Sequence, residues 1–310
     1  MKKFQLKPPM VAHLCMFSAA AFWGLMAPIG KDAMTHGITG IDMVSFRVLG
    51  GAILFWLASF FTKREHVPVT DILKLAGAGL LGLVFNQCCY TIGLSITSPS
   101  NASIMTTTMP IFAMVLSFFI LHEPITLKKA GGVFLGCIGA VIIITTSAAA
   151  TNSKVGDIRG DLLCMGAQLS FAFYLALFKS LVQKYSLFTV NKWMFTWATV
   201  LIWPFTFGHV AAIDFANVSV ASWLETGYVV LFGTFLGYIL MMVGQKTLRP
   251  TVVSVYNYVQ PLVGVTVSVM CGLAVFKASQ ALAALLVFSG VWLVIKSKSK
   301  RDLEQDAAKM

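Results

Sequence analysis

Pro110 and Pro261, with the polar residues one turn ahead of them, are where this sequence brings bare backbone and polar side chains together. A proline inside a helix has no N–H and pushes against the carbonyl four residues earlier. Pro110 thus frees the carbonyl of Thr106, and Pro261 that of Asn257. In lipid an unmet carbonyl is expensive, so bent backbone is tolerated only against protein or a water-filled cavity. The chemistry on offer is hydrogen bonding to a solute rather than bond making. Pro28, in WGLMAPIG, is expected to break the first helix in the same way and to free the carbonyl of Gly24. Trp23 lies beside it, and its ring can stack on an organic solute or serve as an interfacial lipid anchor.

Other polar residues are candidates for the same cavity. Gly82, Asn86, Tyr90 and Gly93 recur at four-, four- and three-residue spacing and so share one helix face. Glycines there allow close helix approach, while Asn86 and Tyr90 either hydrogen-bond across the contact or line the cavity. Gln168, Tyr174, Tyr256, Asn257 and Gln260 are similar cases, the last two one turn apart. Arg47 is the one basic residue well inside an apolar segment, which makes it a functional hypothesis by default. It can bind a carboxylate or phosphate, snorkel outward, or pair with Glu225.

Catalysis is disfavoured by what is missing. No Asp or Glu lies in the middle third of any apolar segment, and the five histidines are scattered near segment ends or in loops. HEPIT lacks the second histidine of HExxH, and no GxxxxGK[ST] loop exists to bind a nucleotide. The six cysteines form no CxxC pair, so a zinc site is not expected. No cofactor, metal or ATPase subunit is implied. An integral membrane enzyme is the competing class, and it needs clustered His, Asp or Glu at membrane depth.

The elements that must hold these residues are membrane helices. Of 310 residues, 57% are hydrophobic and 11% charged, with mean hydropathy +0.81. A soluble domain has roughly a quarter of its residues charged. The net charge of +11 is spread in short runs between apolar segments, which argues against nucleic acid. Spanning takes roughly 20 apolar residues. Ten segments fit, at about 11–30, 41–61, 72–94, 99–121, 128–147, 160–178, 191–208, 219–242, 252–272 and 278–296. The first lacks an A-x-A cleavage pattern and is read as a retained helix. A cytoplasmic N-terminus leaves only Lys31, Lys154, Arg159 and Lys277 on the far side and Arg47 within a span. The other lysines and arginines fall inside, as cytoplasmic loops prefer, so both termini are expected there.

A shift of 151 residues superimposes Phe22 on Phe173, Leu80 on Leu231, Gly82 on Gly233 and Gly93 on Gly244. The same shift brings Pro99 onto Pro250, Ser103 onto Ser254, Pro110 onto Pro261, Ser117 onto Ser268 and Gly139 onto Gly290. The fold expected is therefore all-α, an integral membrane protein of ten transmembrane helices in two five-helix repeats. Five is odd, so the second repeat enters from the other side and the pair is inverted. Residues 1–150 form the first repeat, 151–162 a polar linker, and 163–310 the second with a short basic tail.

The segment LHEPITLKKAGGVFLGCIGAVIII closes the first repeat, with His122, Glu123 and Pro124 ahead of Gly131, Gly132, Gly136 and Gly139. Together with the two-repeat plan it resembles the drug/metabolite transporter superfamily, specifically its EamA-type branch. The second copy departs, with Ala274 at the acidic position and only Gly290 of the spaced glycines. The resemblance implies a carrier of a small metabolite, often an exporter. Few charges and several amides, hydroxyls and aromatics suit a neutral or zwitterionic solute such as an amino acid, moved across a bacterial cytoplasmic membrane. The alternative is a carrier or exchanger of anionic metabolites that uses Arg47. The partners expected are the solute and the lipid bilayer.

Overall fold

A computed structural model describes residues 8–97, 99–150, 157–270, 278–298 and 300–307, and every regular element among them is helical. The first three helices are α1 (Pro8–Thr35), α2 (Gly40–Phe60) and α3 (Val69–Ile96). Then come α4 (Pro99–Thr106) and α5 (Met109–Leu121), separated only by Thr107 and Thr108. The chain continues through α6 (Leu127–Ala150), α7 (Ile158–Leu177), α8 (Leu187–Ala211) and α9 (Val220–Thr247). A second short helix, α10 (Pro250–Val255), leads through a 3-10 turn at Tyr256–Tyr258 into α11 (Val259–Met270), and α12 (Ala278–Ile295) follows. Among the described residues six helical stretches are long and apolar enough to cross a membrane: α1, α2, α3, Ala102–Leu121, α7 and α9. The protein is an all-α, multi-pass membrane protein.

Local chemistry sets the helix ends. Thr39 and Asp42 form a reciprocal capping box at the start of α2, with Thr39 N–H donating to Asp42 at 2.9 Å and Asp42 N–H to Thr39 at 3.2 Å. Asp157 and Ser186 cap α7 and α8. His122 ends α5 in the left-handed region at φ 53°, the only non-glycine there among the described residues. Lys31 closes the end of α3, donating to the carbonyls of Leu94, Ser95 and Thr97 at 2.8, 2.8 and 3.1 Å. Three otherwise orphaned carbonyls are met by one ammonium.

Two expectations need correction here. Pro28 does not break the first helix, which runs unbroken to Thr35. One missing N–H is tolerated because α1 is tightly packed there: a Cβ on Gly24 would lie 2.6 Å from the Gln260 carbonyl of α11. The linker also ends sooner than 162, since α7 begins at Ile158. Residues 151–156, Lys2, Lys3, Lys7, Lys277, Lys309, Cys271 and Ala274 lie outside the described residues.

Packing follows a regular scheme. α3 lies on α7 and α1 on α9, while α2 pairs with α8 and α6 with α12. Glycines make the closest seams. A Cβ on Gly290 would meet the Gly132 carbonyl at 2.5 Å, and one on Gly139 the Ala283 carbonyl at 2.7 Å. In lipid, helix association depends on such contacts because no hydrophobic drive separates protein from solvent. Neither α3 nor α9 is a plain α-helix: each contains a π-helical stretch, Leu80–Phe85 in α3 and Val229–Leu236 in α9. Gly290→Ala is expected to destabilise the purified protein by ~1–3 kcal/mol, the usual cost of overpacking. Gly131→Ala, inside α6 with nothing within 4 Å of its Cβ, should leave the thermal midpoint the same or slightly higher, since alanine favours helix over glycine by about 0.5–1 kcal/mol. Thermal unfolding in detergent compares the two.

Candidate functional site

The π turns and the proline breaks converge on one cavity. At the π turns the carbonyls of Gly82 and Gly233 are each taken by an aromatic side chain from a facing helix. Trp23 Nε1 donates to Gly233 at 2.8 Å, and the Tyr238 hydroxyl to Gly82 at 3.3 Å. Ser170 Oγ adds a 2.7 Å bond to the Leu81 carbonyl. Extra-residue turns of this kind recur at functional sites because they re-aim side chains and loosen the backbone ladder. Trp23 is thus a fixed part of the interior rather than an interfacial lipid anchor.

At the proline breaks the chain tightens into i→i+3 bonding. Thr107 and Thr108 N–H donate to Ile104 and Met105 at 3.0 and 3.1 Å, and the three threonine hydroxyls 106, 107 and 108 bond back to the carbonyls of Ser103, Ile104 and Met105. The other break is the 3-10 turn at Tyr256–Tyr258. The two breaks meet, with Asn257 Nδ2 lying 2.7 Å from Met109 Sδ. Gln260 Nε2 donates to Asn257 Oδ1 at 3.0 Å.

Between these features lies a cavity of about 70 Å³. Trp23, Arg47, Asn86, Tyr90, Thr106, Gln168, Asn257 and Gln260 line it, together with Met26, Phe171 and Tyr238. Asn86 is held by a 3.0 Å bond from Nδ2 to the Ala167 carbonyl of α7. Arg47 is 4% exposed and does not pair with Glu225: its Nε donates to Thr234 Oγ1 at 3.1 Å and its Nη1 to Thr91 Oγ1 at 3.2 Å. Hydroxyls from α3 and α9 lie within its reach, whereas Glu225 sits in the first turns of α9. Thr234 in turn donates to the Val229 carbonyl at 3.0 Å, five residues back, so the π turn itself presents the oxygen that Arg47 uses.

Two sequence candidates lie away from the cavity. Tyr174 is fully buried, its ring against Gly82 and its hydroxyl donating to Gln245 Oε1 at 3.1 Å. The Tyr256 hydroxyl pairs with His13 Nδ1 at 2.8 Å, beside a separate apolar groove between α1 and α12. Pro28 lies in unbroken α1, and Pro110 is buried where α5 begins. Met26, Phe171 and Tyr238 escaped the sequence reading. For Tyr238 a signal existed: at the 151-residue offset it is the counterpart of Gln87, the neighbour of Asn86, and Gln87 Nε2 donates to its hydroxyl at 3.4 Å. Met26 and Phe171 carry no polar mark to separate them from packing residues.

The acidic turn after α5 serves packing. Glu123 accepts from Lys129 at 3.3 Å and from Lys179 at 3.4 Å, with Lys129 only 1% exposed. Glu123→Gln strands the Lys129 ammonium and is expected to cost ~3–5 kcal/mol. Because the pair is not part of the cavity wall, solute affinity of the folded fraction should be unchanged. Thermal unfolding and equilibrium binding on the same preparation check both halves.

Among the described residues no group of three or more His, Cys, Asp or Glu could hold a metal ion. A transporter of Bacillus subtilis, YetK, described as uncharacterized, is 22% identical over 96% of this chain and 90% of its own length. The S-adenosylmethionine/S-adenosylhomocysteine transporter of Chlamydia muridarum is 24% identical over 82% of this chain and 81% of its own. A protein of known crystal structure shares the fold, with a TM-score of 0.70 at 17% identity over 91% of this chain and 96% of that one. The EamA-like transporter family matches twice, over residues 10–145 and again over 158–296. The chain belongs to the EamA-like transporter family.

Proposed function

We propose that the chain is a secondary transporter, an exporter or facilitator, moving a small organic metabolite such as an amino acid across a bacterial cytoplasmic membrane. It works by alternating access between two inverted five-helix repeats, residues 1–150 and 163–310, with both termini cytoplasmic. The observation that carries this reading is the polar cavity at the meeting of the two proline breaks. Trp23, Arg47, Asn86, Tyr90, Thr106, Gln168, Asn257 and Gln260 hold the solute there.

The repeat is supported at several levels. α3 and α9 have equal length at the 151-residue offset, Val69 onto Val220 and Ile96 onto Thr247. The π turns and both breaks overlap under the same shift. The contacts exchange as a two-fold relation requires: α3 on α7 becomes α9 on α1, while α2 with α8 and α6 with α12 map onto themselves. The family matches in two separate stretches, 10–145 and 158–296, which supports a division of the chain between them.

The cavity also argues for movement. Pockets for organic ligands measure about 300–1,000 Å³, so a volume of about 70 Å³ admits only part of such a solute. The walls must separate, and at Thr107 and Tyr256–Tyr258 the regular helix bonding is already interrupted. Pro110 and Pro261 are therefore hinges. Pro110→Ala and Pro261→Ala are expected to slow flux on the order of tenfold, as hinge changes alter rate and apparent affinity together. Flux is measured in proteoliposomes screened with amino acids, nucleosides, sugars and organic acids, with and without a pH gradient. Unchanged flux in both variants would refute the hinge role. No flux for any solute, alongside a hydrolytic or transferase activity, would refute transport.

A further inference from the structure

We infer that the cavity anchors its solute by a carboxylate, that Arg47 is the anchoring cation, and that cationic solutes are refused. The inference rests on the transport reading above and names the solute class for the same cavity.

Arg47 is a buried charge that the protein does not neutralise. Its two bonds go to neutral hydroxyls, Thr234 and Thr91. The ion pairs on Asp32, Asp71 and Glu123 do not include Arg47. Among the described residues no carboxylate lines the cavity. A guanidinium has five N–H donors, and two are used. Nη2 has no protein acceptor among the described residues. Thr91 and Thr234 orient the group without cancelling its charge, because a hydroxyl accepts a hydrogen bond and brings no counter-ion. A carboxylate from the solute supplies the missing charge and two oxygens in the fork geometry that guanidinium prefers.

The other side of the cavity suits the rest of an amino acid. Gln168 is 5% exposed and has no protein hydrogen-bond partner among the described residues. Asn86 spends its N–H on Ala167 and keeps Oδ1 free. Two amide oxygens are thus available to a protonated amine. The cavity's net charge of one positive group admits a zwitterion or a monoanion, and it repels a cation in a site where little water screens the interaction.

The repeat offset isolates the feature. The counterpart of Arg47 is Ala198, and that of Thr91 is Met242. The anchor belongs to one half only, so the scaffold does not need an arginine at this position.

The test is competition for flux in proteoliposomes, using the best-carried amino acid from the screen, its carboxamide, and tetraethylammonium as an organic cation. With the wild-type protein, the carboxamide and the cation are expected to compete about 30-fold or more weakly than the acid, the cost of leaving a buried charge unpaired. Arg47→Gln should lose this preference and carry acid and carboxamide at similar low rates. Thr234→Val keeps the charge but frees Nε, so it should raise KM several-fold while the acid is still preferred. Monodispersity and thermal midpoints confirm that each variant is folded. Equal competition by acid and carboxamide with wild type overturns the inference, as does an acid preference kept by Arg47→Gln. A sugar or nucleoside carried in place of any acid also overturns it, yet leaves transport standing. Only absence of flux for every solute removes the transport reading itself.

Discussion

Every departure from regular helix in the core of this protein must still satisfy its backbone, because lipid offers no hydrogen bonds in exchange. Trp23 reaching Gly233, Tyr238 reaching Gly82 and Ser170 reaching Leu81 answer that demand at the π turns. The three threonine hydroxyls from 106 to 108 answer it at the first proline break. The same groups that repair the backbone also shape the cavity. Trp23, Tyr238 and Thr106 each have a structural bond and also line the cavity. Cavity and scaffold are therefore one set of interactions.

The glycine seams make this economical. Gly82 and Gly93 let α7 approach α3, and Gly233, Gly237 and Gly244 let α1 approach α9. Close approach brings side-chain donors within reach of the π-turn carbonyls. Larger residues at these glycines would hold the helices apart and leave the carbonyls unmet. The seam of Gly132, Gly139 and Gly290 joins α6 to α12, away from the cavity, and its role is to pack the bundle.

The two halves share a skeleton and differ in what they present. Trp23 lines the cavity while its counterpart Tyr174 is turned away toward Gln245. Thr106 and Asn257 stand at equivalent breaks with different chemistry, and Met109 and Gln260 likewise. Arg47 has no polar counterpart. In the proposed mechanism, backbone symmetry serves the movement between two access states, and side-chain asymmetry serves recognition.

The sequence by itself determined the all-helical, multi-pass character of the chain, the breaks at Pro110 and Pro261, the 151-residue correspondence and most of the polar residues that line the cavity. These follow from residue type and local sterics: apolar length demands lipid, a proline ring removes an N–H, and a polar side chain at membrane depth must face protein or water. Only the tertiary structure decided which carbonyl each donor meets. It kept α1 whole through Pro28, sent Arg47 to Thr91 and Thr234 instead of Glu225, and turned Tyr174 out of the cavity. For Arg47 the reason is rotational phase, because its partners Thr91 and Thr234 lie in or beyond the π turns of α3 and α9. A π turn inserts an extra residue into the helix and rotates every side chain beyond it by about 100°. Nothing in the local sequence marks where that rotation occurs; it is set by whichever facing helix supplies the donor.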